Sequence, residues 1–435
     1  MPNPYLPSWE YIPDGEPRVF GNRVYVYGSH DRSGCDKFCD YRLKVWSAPV
    51  DDLSKWVCHG TAFSTRDFRG HKSDVGWTDN ELYAPDVVEK NGKYYLYAYI
   101  VGAKGCVAVS DRPEGPFTFL SKYEYKLEKH FDDGTFIDPG VLVDDDGRVY
   151  IYCGYLGSYM AELDPNDMHT VIDGSYKLDI IPTDAPHSFF EACSPRKING
   201  RYYLIYSPKK GSCLDYAVSD SPTGPYEYKG TIIDNSADYP GGNDHGSVMQ
   251  INGEWYIFYH RMTNGTIMSR RGCVEHIEIL PDGTIPQVEM TSLGFEKSLD
   301  PFIVTKADTA CVLKGGCFIT ELDIFNRVIT GIEDGAVMGW KYYDFGNDDD
   351  PYSIMLKIRG EGCRGVVQIH LDGDDGEPVG EAAFGEAGGV ISAKLPAIKG
   401  RHAVYLKAKS GYEGWAAEMF KGRRLFELEE FVFVR

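Results

Sequence analysis

The segment Glu191-Ala-Cys-Ser-Pro-Arg-Lys-Ile-Asn-Gly-Arg-Tyr-Tyr-Leu-Ile-Tyr206 decides the fold. It reads as a β-hairpin. Asn199-Gly200 tolerates the positive φ of a tight turn, and aromatic and β-branched residues flank it. An acidic residue opens its first strand. The same plan recurs in both directions. Upstream stand Asp138-Pro-Gly-Val-Leu-Val-Asp-Asp-Asp-Gly-Arg-Val-Tyr-Ile-Tyr152, Ala84-Pro-Asp-Val-Val-Glu-Lys-Asn-Gly-Lys-Tyr-Tyr-Leu-Tyr97 and Asp14-Gly-Glu-Pro-Arg-Val-Phe-Gly-Asn-Arg-Val-Tyr-Val-Tyr27. Downstream stands His245-Gly-Ser-Val-Met-Gln-Ile-Asn-Gly-Glu-Trp-Tyr-Ile-Phe-Tyr259. Anchored on Tyr25, Tyr95, Tyr150, Tyr203 and Tyr256, the copies lie 70, 55, 53 and 53 residues apart. A period of about 50 residues with several strands per unit marks a propeller blade. Five copies predict an all-β chain that begins as a five-bladed β-propeller, and no long amphipathic helical pattern competes.

In a propeller the innermost strand of each blade runs along the central axis, so the residues that open those strands converge at one face. Here they are Asp14, Asp138, Glu191 and His245, with Asp86 just inside the second copy. Clustered carboxylates are costly, because like charges raise one another's pKa. Folds keep such clusters mainly for function. One Asp at a strand start is more simply read as satisfying the donors of a turn; three acidic residues at equivalent repeat positions reverse that preference. Glycoside hydrolysis needs such a set. One carboxyl protonates the leaving oxygen, a second activates water or attacks, and a third beside the acid helps keep it protonated. Asp144, Asp145 and Asp146 fall in the hairpin turn of the third copy and are expected to be solvated.

The balance of the 435 residues fits this reading. Net charge is −20, which disfavours nucleic acid and anionic membranes as partners and favours a neutral substrate. Tyr is abundant, at 31 residues, and suits both β-sheets and sugar surfaces. The 11 cysteines are odd in number and irregularly spaced, with several inside apolar runs, so they read as buried free thiols. Cys35 and Cys39 have no second ligand pair or nearby His to complete a zinc set. The N-terminus lacks a basic region followed by an apolar run, and no stretch is long and apolar enough to span a membrane. A cytoplasmic location is therefore expected.

The repeat motifs also carry a resemblance. Tyr11-Ile-Pro-Asp-Gly-Glu-Pro-Arg-Val-Phe, Ile137-Asp-Pro-Gly-Val-Leu-Val, Phe190-Glu-Ala-Cys-Ser-Pro-Arg and Asn243-Asp-His-Gly-Ser, in that order over roughly residues 1–295, resemble glycoside hydrolase family 43. The resemblance implies hydrolysis with inversion. It makes Asp14 the general base, Asp138 the residue that orients the acid and tunes it, and Glu191 the general acid. It matches His245 to an axial histidine that in relatives holds water or a metal ion, and Arg271 to an arginine that contacts the sugar. No cofactor is required for the chemistry. Family members often read Asp-Pro at the base; here Asp14-Gly15 stands there, and Glu16-Pro17 is a shifted alternative that the ungapped register through Tyr27 disfavours. Trp77 and Tyr83 precede the second inner strand, where they either stack on a sugar or pack between blades.

After Pro281-Asp-Gly-Thr-Ile the repeat ends. Strand-like runs at Tyr352–Ile358, Val366–Leu371, Val404–Lys407 and Phe431–Val434 predict a β-sandwich of jelly-roll type over residues 298–435, behind a propeller over residues 1–297. This part resembles a family 6 carbohydrate-binding module. Trp340, Tyr342, Tyr412 and Trp415 are its candidate platforms, with core packing the more economical role for each. Such a module can hold a structural calcium ion, although Asp348, Asp349 and Asp350 are not spaced as an EF-hand loop. The expected activity is release of a pentose, α-L-arabinofuranose or β-D-xylose, from hemicellulose-derived oligosaccharides. The contrasting expectation is a carbohydrate-binding propeller without catalysis, which would not need the three carboxylates.

Overall fold

The computed structural model describes residues 2–102, 104–123 and 136–435. Five antiparallel sheets follow one another along the chain, the first four with four strands in meander order and the fifth with three. Their first strands are Glu16–Phe20, Leu82–Lys90, Gly140–Val143, Phe189–Ile198 and Ser247–Ile251. Each strand begins within two residues of the start of one of the five sequence copies. The turns behave as the dipeptides demand. Asn91-Gly92, Asn199-Gly200 and Asn252-Gly253 all hold positive φ, at 53° and 74°, 51° and 80°, and 50° and 89°. Among the described residues, α-helix is confined to Trp415–Phe420.

The apolar clusters join neighbouring sheets pairwise. Leu43 and Phe63 of the first sheet pack with Val87 and Leu96 of the second. Val107 of the second packs with Val141 and Ile151 of the third. Tyr152 of the third packs with Leu204 and Tyr206 of the fourth. Val26 and Trp46 of the first sheet also pack with Ile251 and Phe258 of the fifth, under the N-terminal Tyr5 and Leu6.

A buried polar network ties the inner strands together. Arg18 pairs with Asp86 of the second sheet at 2.6 Å and donates to the Val141 carbonyl of the third at 3.0 Å. Asp86 also accepts the Val141 N–H at 2.7 Å. Arg196 of the fourth sheet pairs with Glu16 of the first at 2.7 Å and donates to the Val248 carbonyl of the fifth at 2.8 Å. Each charge here has a partner, as burial requires. Asp144 is a correction to the sequence reading. Far from solvated, it is buried, accepting the Tyr202 hydroxyl at 2.6 Å and pairing with Lys197 of the next sheet. Asp145 and Asp146 are exposed, as expected. Nine of the 11 cysteines are buried free thiols; Cys35 is intermediate and Cys58 exposed.

The C-terminal part holds a six-stranded and a five-stranded antiparallel sheet. They face each other through aromatic pairs, Trp340 against Phe431 at 4.8 Å and Phe384 against Phe426 at 4.9 Å. The four strands read from the sequence lie within Tyr352–Gly360, Gly365–Leu371, Arg401–Ser410 and Phe426–Val434. Their core is continuous with the fourth and fifth sheets, since one cluster contains Tyr216, Tyr259 and Cys273 together with Trp340 and Phe431. Arg271–Asp308 at 2.8 Å and Leu313 N–H to the Asp238 carbonyl at 2.7 Å fasten the two parts.

Candidate active site

Asp14 and Asp138 each precede a first strand, and both sit in the left-handed backbone region at φ 58° and 51°. Asp tolerates this region better than most residues, yet it is uncommon outside glycine and is retained where surrounding structure enforces it. Glu191 lies inside Phe189–Ile198 where the register against Arg201–Pro208 slips on both sides. Such a bulge re-aims a side chain out of the regular pleat. His245 stands two residues before the fifth sheet's first strand. These four residues line one cavity of about 380 Å³, together with Asn243, Arg270 and an aromatic wall of Phe38, Tyr83, Tyr155 and Phe190. Its mix of apolar wall and few polar groups suits a small ligand.

The carboxyls differ in surroundings. Burial would raise Asp14, but the Arg270 guanidinium at 2.7 Å, with His245 and His260, overrides this and holds it below the ordinary carboxylate range. Arg270 is itself fixed by Asp31 through two bonds of 2.9 Å. Glu191 has the opposite fate. Burial, then the Asp14 charge, push it up to about 7 against Arg270 and the Asn243 amide that donates to it. Asp138 is also raised, by burial and by the charges of Glu191 and Asp14. Glu191 and Asp138 thus titrate as a pair that holds on to a proton near neutrality. His245 Nδ1 lies 3.8 Å from Asp14 and 3.7 Å from Asp138, and burial lowers its pKa. One cavity therefore holds a carboxyl kept charged, Asp14, beside a carboxyl pair whose pKa is raised, a contrast that general acid–base catalysis can use.

Several residues depart from the sequence expectations. Arg271 does not reach the cavity; it pairs with Asp308 of the C-terminal part, and its neighbour Arg270 is the arginine at the site. The cause is strand alternation. Arg270 pairs across the hairpin with Met262, which also lines the cavity, whereas Arg271 pairs with Arg261 on the opposite face. Asp86 is spent on Arg18 and the Val141 N–H and does not line the cavity. Trp77 packs edge-on against Phe119 at 4.9 Å, away from the cavity, while Tyr83 does line it. Glu16, the alternative base, is bound to Arg196.

The sequence reading missed Arg270, Asn243, Asp244 and His260. Asp244 accepts the His245 and His260 N–H groups, and burial pushes it up to about 8. His260 lies 3.5 Å from Asp14 and is pushed down to about 3 by burial and by Arg270. Asn243 and Asp244 carried a signal, as neighbours of His245, and Arg270 carried one as the neighbour of Arg271. Among the described residues, no group of three or more His, Cys, Asp or Glu side chains stands together as a metal-ligand set.

The chain is similar to known glycosidases. The chain is 37% identical to a xylosidase/arabinosidase of Thermoclostridium stercorarium, over 93% of this chain and 95% of that one. It superposes on a family 43 enzyme from Xanthomonas citri complexed with xylose with a TM-score of 0.57 and 28% identity, over 66% of this chain and 93% of the other. An arabinoxylan arabinofuranohydrolase from Bacillus subtilis, solved with cellotetraose, shares the fold over 100% of this chain and 97% of its own, with a TM-score of 0.57 and 23% identity. The sequence model for glycosyl hydrolases family 43 matches residues 12–285, which span every residue of the cavity, and the chain belongs to that family.

Proposed function

We propose that this protein is an inverting exo-glycosidase that releases xylose or arabinofuranose from oligosaccharides. The observation that carries the reading is the split within one cavity: Asp14 held ionised by Arg270, and Glu191 raised to about 7 beside Asp138. Glu191 donates its proton to the glycosidic oxygen as the bond from the anomeric carbon to that oxygen breaks. Asp14 takes a proton from the water that attacks the anomeric carbon from the opposite face. The leaving sugar departs as an alcohol, and the released pentose carries the inverted configuration. Asp138 keeps the proton available to Glu191, and Asn243 fixes the direction in which Glu191 points. Tyr83, Phe38, Tyr155 and Phe190 supply the apolar surface on which a pentose ring rests. The similarity to a xylosidase/arabinosidase supports the choice of sugar.

The pairwise packing of successive sheets, and of the first with the fifth, supports a closed five-bladed propeller over residues 1–297. The two facing sheets beyond support a β-sandwich over 298–435. Sugar binding by that sandwich would rest on Trp415, which is 79% exposed, because Trp340 is fully buried, Arg401 lies over the Tyr342 ring at 4.4 Å and Tyr412 is stacked on Phe420 at 3.8 Å.

A paired assay with 4-nitrophenyl α-L-arabinofuranoside and 4-nitrophenyl β-D-xylopyranoside tests the activity, with Glu191→Gln as control. Hydrolysis of one or both is expected. In the variant the loss should reach about 10²–10⁴-fold on xylo-oligosaccharides and be smaller on nitrophenyl substrates, whose leaving group needs no proton. Equal loss on both would remove Glu191 from the acid role.

A further inference from the structure

Ser207 does not line the cavity, yet it reaches the acid through one side chain. It sits on Arg201–Pro208, the second strand of the fourth sheet, and is fully buried. Across the hairpin it stands opposite Glu191, at the matched pair between the two register slips. Its hydroxyl donates to the Asn243 side-chain carbonyl at 2.5 Å. The other end of that amide, Nδ2, donates to Glu191 Oε1. A chain of hydrogen bonds thus runs from the strand, through the loop, back to the acid.

The rest of Asn243 is held. Its backbone carbonyl meets His260 Nε2 at 3.0 Å. Beside it, the Gly242 N–H donates to Ser212 Oγ at 2.7 Å, and the Ser212 hydroxyl donates back to the Gly242 carbonyl. With the backbone pinned, the freedom left to the side chain is a half-turn of the amide, which exchanges its oxygen and nitrogen. The two orientations differ in chemistry. In the observed one, Asn243 gives Glu191 a hydrogen bond through Nδ2, which has no acceptor capacity, so the acid's proton is left to Oε2. In the reversed one, a carbonyl oxygen would face Glu191. It would repel the carboxylate, and it would bind the proton of the carboxylic acid that a glycosidic oxygen needs. Reversal would also turn Nδ2 towards Ser207 and take from its buried hydroxyl the acceptor that it now has.

We infer that Ser207 is a positioning residue for the general acid: its hydroxyl fixes the Asn243 amide as a donor to Glu191, and so keeps the acidic proton on the free oxygen, Oε2, for the leaving group. The inference rests on the proposed acid role of Glu191 and extends it to a residue outside the cavity. The charged and titratable groups that face Glu191 from other elements are Asp14 and Asp138, which precede the first and third sheets, His245 before the fifth, and Arg270 within the fifth. A change at Ser207 keeps all four.

Ser207→Ala, in the full chain, tests this. Ser194→Ala is its control, since Ser194 lies on the strand of Glu191 but its buried hydroxyl donates to Ser247 at 2.7 Å, bridging the fourth and fifth sheets instead. In Ser207→Ala, kcat on xylobiose or on an arabinose-substituted xylotriose, whichever the parent cleaves, is expected to fall about 10-fold or more, because these leaving groups need the proton. kcat on 4-nitrophenyl pentosides should stay within about 2-fold. The alkaline limb of the pH profile should move to higher pH, because the Asn243 donation that lowers Glu191 is lost. Ser207→Cys, which keeps a weak donor, should fall between parent and alanine variant, and carries the test if the alanine variant does not fold. Ser194→Ala should move neither the leaving-group dependence nor the limb, whatever it costs in melting temperature. Carbon-13 NMR titration of the Glu191 carboxyl, identified by its loss in Glu191→Gln, reads the same upward shift without turnover. Equal loss on natural and nitrophenyl substrates with an unmoved alkaline limb, or an unchanged carboxyl titration, would overturn the inference. A parent protein inert on every pentoside would instead overturn the reading of the active site, and the carbon-13 titration would then decide the role of Ser207 alone.

Discussion

Arg270 is the residue on which the site turns. It holds Asp14 charged, and it owes its place to the two-residue period of one strand, which sends Arg271 to the opposite face. This gives a test at the residue scale. On the proposed mechanism, activity needs Asp14 ionised and the Glu191–Asp138 pair protonated. The acidic limb of kcat/KM should therefore lie below the ordinary carboxylate range, because Asp14 is depressed. The alkaline limb should fall near pH 7, where Glu191 loses its proton. Arg270→Met should lower activity and move the acidic limb to higher pH. Arg271→Met should leave both limbs in place while lowering stability, since it strands Asp308. Matching pH profiles in the two variants would contradict the assignment. Glu191 carries a stability cost of its own. Its folded pKa is raised, so stability is full in acid and is lost as pH rises through about 7. Glu191→Gln should consequently melt higher than the parent in mildly alkaline buffer and no higher in acid.

At the scale of the element, the hairpins were legible because their information is local. The Asn-Gly turns, the tyrosine-rich second strands and the acidic openings all sit within about fifteen residues, where turn chemistry and period-2 patterning act. What the repeat could not give is which of several equivalent acids faces the cavity. Asp14, Asp138 and Asp86 read alike in sequence. The left-handed backbone at Asp14 and Asp138 turns the first two inward, whereas Asp86 lies within its strand and meets Arg18. That pairing depends on a contact 68 residues away, which no local pattern encodes. Asp144 was misjudged for the same reason, as its partner Lys197 comes from a distant strand, and the choice left open for Trp77 likewise turns on a distant partner, Phe119. Asp86→Ala should accordingly leave Arg18 buried without its partner and cost about 3–5 kcal/mol. Denaturant unfolding would measure this, and a loss below about 1 kcal/mol would show that the inner-strand network is not a structural tie.

At the scale of the whole molecule, the sequence boundary near residue 298 separates two patterns but not two independent bodies. The core that contains Trp340 and Phe431 also contains Tyr259 and Cys273, and Arg261 donates to the Ala310 carbonyl at 3.3 Å. A fragment of residues 1–297 would expose that apolar face and leave Arg271 without Asp308. We expect the full chain to unfold in one calorimetric transition and the fragment to be insoluble or much less stable. Two well-separated transitions in the full chain would contradict this. The active-site cavity is lined wholly from the five N-terminal sheets and their loops, and the C-terminal part meets them through the core it shares with the fourth and fifth sheets.

The central claim is that water, activated by Asp14, attacks in a single displacement while Glu191 protonates the leaving oxygen. Proton NMR of the first sugar released from whichever nitrophenyl pentoside the enzyme cleaves tests it most directly. The account predicts that the inverted anomer appears first, α-xylose from a β-xyloside or β-arabinofuranose from an α-arabinofuranoside, before mutarotation mixes the two. First release of the anomer with the substrate's own configuration would mean a covalent intermediate on one of these carboxylates, and would contradict the account.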